Sequence, residues 1–181
     1  MTGMLFSLIA VLLASLGARD QATMAGLAGL AGERGSGGLL ATAIAVCVVS
    51  AAVAAIAAVA IAPMLTPKAR MIFVAMALAL AGLESLVFSP RAKPEEPTRS
   101  LGAFAIVLFA HQLTDAARFL VFALAVATAA PIPAAVGGAA GGAAAMTGAW
   151  LAPDLFASAG LRLARRVIGA LLLVAAVIVV L

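Results

Sequence analysis

Long runs of apolar residues follow one another along this chain, without the alternation of apolar and polar positions that a membrane β-barrel requires. About 20 apolar residues suffice for a helix to cross a bilayer. Backbone groups in hydrocarbon need partners within the chain, so the runs favour helices. They predict six membrane-spanning helices, at about 2–30, 39–64, 67–88, 101–129, 134–151 and 161–181.

Charged and turn-forming residues separate the predicted helices. A glycine-rich, charged segment at 32–38 is expected to be a loop, and Pro131 and Pro133 end the fourth helix. The longest polar stretch, 89–99, holds three prolines and five charged residues and is expected to be a solvated linker. The chain therefore divides into a first three-helix repeat at 1–89, a polar linker at 90–99 and a second three-helix repeat at 100–181.

The two halves resemble each other. The segment 69–75 (Ala-Arg-Met-Ile-Phe-Val-Ala) is similar to 164–170 (Ala-Arg-Arg-Val-Ile-Gly-Ala), and the first helix of each half carries a polar interruption. A unit with an odd number of spans makes the next unit point the opposite way, which is the inverted-repeat plan of many secondary transporters. The predicted fold class is an all-α membrane protein with six transmembrane helices in two inverted three-helix repeats.

Small residues mark the fifth predicted helix, which consists almost entirely of glycine and alanine. Gly137 and Gly141, and likewise Gly138 and Gly142, are four residues apart and therefore lie on one face of a helix. This spacing is typical of helices that pack closely inside a membrane bundle, and a dimer face is the alternative.

Composition narrows the function classes. Hydrophobic residues make up 66% of the 181 residues, charged residues only 10%, and the mean hydropathy is +1.25, which excludes a soluble enzyme and a disordered chain. The net charge of +4 comes from scattered basic residues, without the basic patch and interleaved aromatics of a nucleic-acid-binding protein. No zinc, P-loop or nucleophile motif is present, and we expect no enzymatic activity.

The basic residues also predict an orientation. Seven Lys and Arg residues lie on the linker side of the predicted helices and only two lie on the opposite side. Positive charges between spans favour the cytoplasmic face of a membrane. We therefore expect a multi-pass protein of the cell inner membrane, surrounded by the lipid bilayer, with the linker in the cytoplasm and both termini outside.

Four charged residues lie well inside the predicted helices, where each costs at least about 2.5–3.5 kcal/mol to insert. They are Arg19, Asp20, Asp115 and Arg118. Glu84 and His111 are further candidates. Glu84 lies close to Pro90 and is expected to extend to the membrane surface, whereas His111 is expected to be a packed, hydrogen-bonded side chain.

The polar interruptions carry a resemblance to a known family. They are Ser15-Leu16-Gly17-Ala18-Arg19-Asp20-Gln21 and Gln112-Leu113-Thr114-Asp115-Ala116-Ala117-Arg118. In them the chain resembles the Gdt-type manganese/calcium–proton exchangers, whose two inverted repeats each carry Glu-x-Gly-Asp-Lys/Arg-Thr/Ser on the first helix. Basic residues that open the third helix of each half extend the resemblance; they are Lys68, Arg70, Arg165 and Arg166. The resemblance implies proton-coupled export of manganese or calcium.

The match to that motif is degenerate. Its aspartate position holds Ala18 in the first half and Asp115 in the second, and Asp20 is an acid displaced by two places. The resemblance implies Asp115 and Asp20 as the residues that bind the metal or carry the proton. Their further oxygen ligands would be Gln112, Ser15 and Thr114, and Arg19 and Arg118 would balance the charge. A hard divalent cation takes about six oxygen ligands, and the cation would be cargo rather than a resident cofactor.

Other interpretations stay open at this point. The four buried charges sum to zero and could pair between the halves, Asp20 with Arg118 and Arg19 with Asp115, or within one helix, Asp115 with Arg118. The chain would then be a transport-inactive relative of the exchangers that serves as a structural or accessory membrane subunit. A small exporter of an anion or amino acid, in which the arginines bind the substrate, is the third possibility. A homodimer and a role in a larger membrane complex are equally compatible with the sequence.

Overall fold

The computed structural model describes residues 2–87 and 100–181, without the side chains of 31–36 and 156–157. Within these ranges the chain is helical and contains no strand, which confirms the all-α class. Its helices are α1 Thr2–Ser15, α2 Arg19–Ile61, α3 Pro67–Val87, α4 Leu101–Thr114, α5 Ala116–Thr128, α6 Pro131–Leu151 and α7 Ala159–Val180. Short 3-10 turns at Ala62–Met64 and Pro153–Ala157 follow α2 and α6. The predicted linker at 90–99 lies outside the described residues.

Several helices are long and apolar enough to cross a membrane. α3, α7 and the segment Gly37–Met64 each meet this condition alone. Two further spans result if each bent pair of helices counts as one, Thr2–Ser15 with Arg19–Leu30 and Leu101–Thr114 with Ala116–Thr128. Length and composition of the described helices therefore support three to five spans, as expected for a multi-pass membrane protein.

The fifth predicted span corresponds to α6, which is not among these helices. α6 has 21 residues and no charged side chain, but its many glycines and alanines contribute little hydropathy. The helix packs against α1, α2 and α5 inside the bundle. One face of α6 packs on these helices through small residues, and the opposite face, at positions 132, 136, 140, 144 and 148, is exposed. Because α6 is not among the helices that meet the length and hydropathy condition, six spans remain a prediction.

α2 is helical across the segment 32–38, which the sequence predicts as a loop. We distinguish an N-terminal arm of α2, Arg19–Leu30, from a C-terminal arm, residues 37–61. Both arms pack against α6. The N-terminal arm corresponds to the end of the first predicted span, and the C-terminal arm corresponds to the second predicted span.

The two arms of α2 do not form one straight helix. Gln21 donates from Nε2 to the carbonyl oxygen of Ala145 at 2.6 Å, and the Sγ of Cys47 lies beside Gly142, one turn earlier on α6. In a straight helix, residues 21 and 47 would be about 39 Å apart. The chain therefore bends sharply between the arms.

Close contacts fix the direction of α6 in the bundle. Gly137 packs on the backbone of Met4, and Gly141 packs on the backbone of Leu8 one turn farther along both helices, so α6 and α1 run in the same direction. In the C-terminal arm of α2 the order is reversed. Ala58 there belongs to the same buried cluster as Ala134, near the start of α6, and Cys47 lies beside Gly142, farther along it.

α3 and α7 form an antiparallel pair. Gly82 and Gly169 face each other so closely that a Cβ on either would meet the backbone oxygen of the other, at 2.8 and 2.9 Å. Gly82 also lies against Leu173, whereas Gly169 lies against Leu86, so the two helices pass each other in opposite directions. A cluster of three phenylalanines joins α3 to α5, with ring centroids 5.7–6.2 Å apart: Phe73, Phe119 and Phe122.

The two bent pairs break within the polar segments of the sequence. Between α1 and α2 the chain bends by 65°, and Gly17 there has a φ of +67°, which favours glycine. Between α4 and α5 the chain bends by 55° at Asp115, whose backbone is extended. Each break exposes helix ends whose backbone groups need partners from elsewhere.

Candidate functional site

A cavity of about 580 Å³ lies at the break between α4 and α5. Its walls come from the last turns of α3, from both sides of that break, and from the first residues of α2 after the other break. The polar and charged side chains in its lining are Arg19, Asp20, Glu84, His111, Thr114 and Asp115. The remaining lining residues are apolar, so the charged groups face a cavity with partly hydrophobic walls.

Asp20 lies in the first turn of α2 and is only 5% exposed. Its Oδ1 is 3.9 Å from Nδ1 of His111, which lies in the last turn of α4. The side chain of Gln112 also lies beside this carboxylate. Because the first turn of a helix presents unpaired N–H groups, it favours an acidic side chain. The break before α2 thus stabilises a carboxylate inside the bundle.

Asp115 occupies the break between α4 and α5 itself. It is the N-cap of α5, and its Oδ1 accepts a hydrogen bond of 3.4 Å from the backbone N–H of Ala117. A carboxylate has about four acceptor positions, so this cap leaves others directed elsewhere. Since the side chain lines the cavity, those acceptor positions are available to a ligand.

Glu84 is a third carboxylate of the lining, one turn before the end of α3. Its Oε1 lies 4.0 Å from Nη2 of Arg165, a buried side chain of α7. The guanidinium of Arg165 also donates to the carbonyl oxygens of Leu16, at 3.5 Å, and of Glu84, at 3.4 Å. Its Nε has no hydrogen-bond partner. Arg165 therefore joins α7 to the third carboxylate and to the break between α1 and α2.

A buried polar network lies behind the cavity and centres on Arg118. Its Nε donates to Oγ of Ser50 at 2.8 Å, its Nη1 to the carbonyl oxygen of Gly138 at 3.3 Å, and its Nη2 to Oε1 of Gln112 at 2.9 Å. The Oγ of Ser50 also donates to Oε1 of Gln112 at 2.6 Å. Gln112 in turn donates from Nε2 to Sγ of Cys47 at 3.3 Å. The network connects α5, α4, the C-terminal arm of α2, and α6.

The predicted site residues fall into two groups. Those in the cavity lining are Arg19, Asp20, Thr114 and Asp115. Gln112 and Arg118 lie in the buried network behind the lining. Ser15, at the end of α1, is buried outside the lining, and its carbonyl oxygen accepts a bond of 3.0 Å from the N–H of Ala18. The structure thus brings the two predicted acids to one cavity.

Asp20 and Arg118 form no direct ion pair, although the charge of Arg118 acts on the Asp20 carboxylate. The guanidinium of Arg118 binds neutral oxygens of a hydroxyl, an amide and a carbonyl group. His111 provides a nitrogen near the Asp20 carboxylate instead. His111 is 47% exposed at its side chain and lines the cavity, so the expectation that it would be a packed side chain is wrong.

Glu84, which the sequence predicts to extend toward the membrane surface because it lies close to Pro90, lines the cavity, with its side chain 23% exposed. The packing of α3 on α5 and α7 turns this face of α3 inward. A usable signal was the pairing of a lone acid at the end of one predicted helix with basic residues, among them Arg165, opening another.

The carboxylates are spread over the cavity walls. Among the described residues, no three side chains of His, Cys, Asp or Glu are close enough together to hold a metal ion between them. The arrangement can offer oxygen ligands in succession to a cation that keeps part of its water shell, as hard cations often do in proteins. Comparison of the chain with protein-family models, curated proteins and solved structures gives no match.

Proposed function

We propose that the chain is a secondary transporter that exports a divalent cation, manganese or calcium, in exchange for protons. The observation that carries this proposal is the shared cavity. Asp20 of the first half and Asp115 of the second line it together, each beside a helix break, and Glu84 adds a third carboxylate. Three carboxyl groups and the guanidinium of Arg19 line the cavity, so most of its ionisable groups are acidic, as a cation site requires.

The packing supports the proposal of two inverted repeats. α1 runs parallel to α6, and α4 runs parallel to the C-terminal arm of α2, because Gly38 lies beside Leu101 and Ser50 bonds Gln112. The C-terminal arm of α2 and α6 are antiparallel, and so are α3 and α7. If the two halves are exchanged, the parallel pair of α1 and α6 becomes the parallel pair of α4 and the C-terminal arm of α2. The two antiparallel pairs remain the same pairs. In this arrangement α6 is the fifth span, equivalent to the C-terminal arm of α2.

The helix breaks support the likeness to the Gdt-type exchangers. Ala18 and Asp115 are the N-cap residues of α2 and α5, and they are also the two positions where the exchanger motif has aspartate. In the first half, where the cap is Ala18, the carboxylate of Asp20 reaches the same cavity. The acid lost at one position is thus compensated by one two residues later.

The chemistry of exchange follows from the lining. A divalent cation takes about six oxygen ligands, which carboxylates, the hydroxyl of Thr114 and retained water can supply together. When the cation leaves, the carboxylates lose their counter-charge in a partly apolar cavity, and taking up protons restores the balance. Cations and protons would therefore occupy the same groups alternately.

The direct test is transport by the purified protein in liposomes that contain a dye sensitive to Mn²⁺ or Ca²⁺. We expect cation entry that depends on an opposing proton gradient and exceeds that of protein-free liposomes. A folded protein that moves neither ion would contradict the proposal and favour the accessory role. Uptake of a labelled anion or amino acid that requires Arg19 would favour the third interpretation.

The orientation can be tested with the cysteine variants Lys68→Cys and Arg162→Cys, whose positions are exposed at opposite ends of the bundle. We expect a membrane-impermeant maleimide to label position 68 in intact cells and position 162 only after permeabilisation, because the charge distribution puts the linker side in the cytoplasm. The wild-type chain is the control, since its one cysteine, Cys47, is buried. The reverse labelling pattern would show the opposite orientation.

A further inference from the structure

Gln21 and Arg118 occupy equivalent places in the two halves. Each is the third residue after an N-cap at a helix break, Ala18 in one case and Asp115 in the other. Both side chains are almost fully buried, with 2% and 5% exposure. Neither lines the cavity, so both belong to the structure around it.

The side chain of Gln21 closes its own break and joins the other half. Its Oε1 accepts a 2.7 Å hydrogen bond from the backbone N–H of Gly17, inside the break. Its Nε2 donates to the carbonyl oxygen of Ala145 on α6. A single amide thus satisfies a backbone donor at the bend and fixes the bend to the second helix of the opposite half.

Arg118 makes the corresponding pair of connections. Its Nη2 bonds Gln112, in the last turn before the break, and its Nε bonds Ser50, on the C-terminal arm of α2 in the opposite half. A third bond, from Nη1 to Gly138, reaches α6. Three different nitrogens of one planar group are in use, an arrangement that the single nitrogen of a lysine cannot reproduce.

We propose that Gln21 and Arg118 are positioning residues that hold each helix break against the second helix of the opposite half and so fix Asp20 and Asp115 relative to each other. The expected effect on the transport rate rests on the proposed function. The positioning of the two helix breaks by Gln21 and Arg118 does not depend on transport. Because these connections are directed hydrogen bonds, we expect the geometry of donors and acceptors at positions 21 and 118 to matter in addition to the charge of Arg118.

The test compares one variant in each half. Gln21→Met keeps the length of the side chain without its amide, and Arg118→Lys keeps the charge without the planar group. In proteoliposomes we expect each variant to lose about tenfold or more of the maximal transport rate. The off-site variant Arg162→Lys, at an exposed position, serves as control and should match wild type.

A second measurement does not require transport. The thiol of Cys47 is 0% exposed and accepts a hydrogen bond from Gln112, which Arg118 holds. In folded protein, we expect its reaction rate with a small thiosulfonate reagent to rise about tenfold in Arg118→Lys and to stay near wild type in the control Arg162→Lys. If no ion is transported, this measurement alone decides the inference. Protection of Cys47 in Arg118→Lys, or transport by Arg118→Lys at the wild-type rate, would overturn it.

Discussion

Replacing Asp115 by asparagine is expected to reduce cation–proton exchange about a hundredfold or more. A carboxylate about 4 Å from a unit charge in a protein environment contributes about 4 kcal/mol of attraction, and each 1.4 kcal/mol corresponds to a factor of ten in rate or affinity. Desolvation takes part of this away. Asparagine keeps the shape and can still cap α5 as Asp115 does, so the helix break should survive. The loss would therefore report the charge and the exchangeable proton.

The measurement is the initial rate of Mn²⁺ or Ca²⁺ entry into proteoliposomes under a fixed proton gradient. Asp154→Asn is the matched control, because Asp154 is exposed in the 3-10 turn after α6 and remote from the cavity lining. We expect it to transport like wild type. Transport by Asp115→Asn at the rate of the Asp154→Asn control would remove Asp115 from the mechanism.

Glu84→Gln extends this test to the third carboxylate of the cavity lining. Glu84 lines the cavity, so we expect its replacement to weaken cation affinity, seen as a higher half-saturating concentration of Mn²⁺. Its backbone carbonyl, which accepts from Arg165, is unchanged by the substitution. Unchanged half-saturation would indicate that Glu84 serves the contact with α7 alone.

The sequence marks the two polar interruptions but predicts each as part of one continuous span, so the helix breaks there were not predicted. The segments around Asp20 and Asp115 interrupt otherwise continuous apolar sequence, and both coincide with bends of more than 40° in the structure. The all-α class and the candidate membrane helices follow from the same long runs. Local sequence therefore indicated where the two acids would meet, although it could not indicate the shape of the cavity.

The partners of the buried charges were not predictable from the sequence alone. Counting charges pairs Arg118 with an aspartate, whereas its actual partners include the hydroxyl of Ser50 and the carbonyl oxygen of Gly138, 68 and 20 residues away. Backbone carbonyls carry no sequence signal, and every residue has one. Which of them faces a guanidinium depends on the register of α5 against α6 and the C-terminal arm of α2. That register is set by packing of small residues, not by charge.

The close packing of α6 leads to the second prediction with a large effect. A Cβ at Gly137 would overlap the backbone carbonyl of Met4, and neither backbone can move away without separating α1 from α6. We therefore expect Gly137→Ala to destabilise the protein by about 1–3 kcal/mol, in spite of the intrinsic helix preference of alanine. For a chain of this size the melting temperature should fall by about 2–4 °C per kcal/mol.

The same substitution on the same helix provides the control. A Cβ at Gly148 would meet no atom within 4 Å, so Gly148→Ala should leave the melting temperature unchanged or raise it slightly, through the helix preference alone. Thermal unfolding in detergent can be followed with a thiol-reactive dye, because Cys47 is buried in the folded protein and becomes reactive only when the bundle opens. Equal melting temperatures for the two variants would mean that α1 and α6 do not approach as closely as Gly137 indicates. A selective loss at Gly137 would establish that α6 holds the first helix of the chain by backbone contact, and with it the break that carries Asp20 to the cavity.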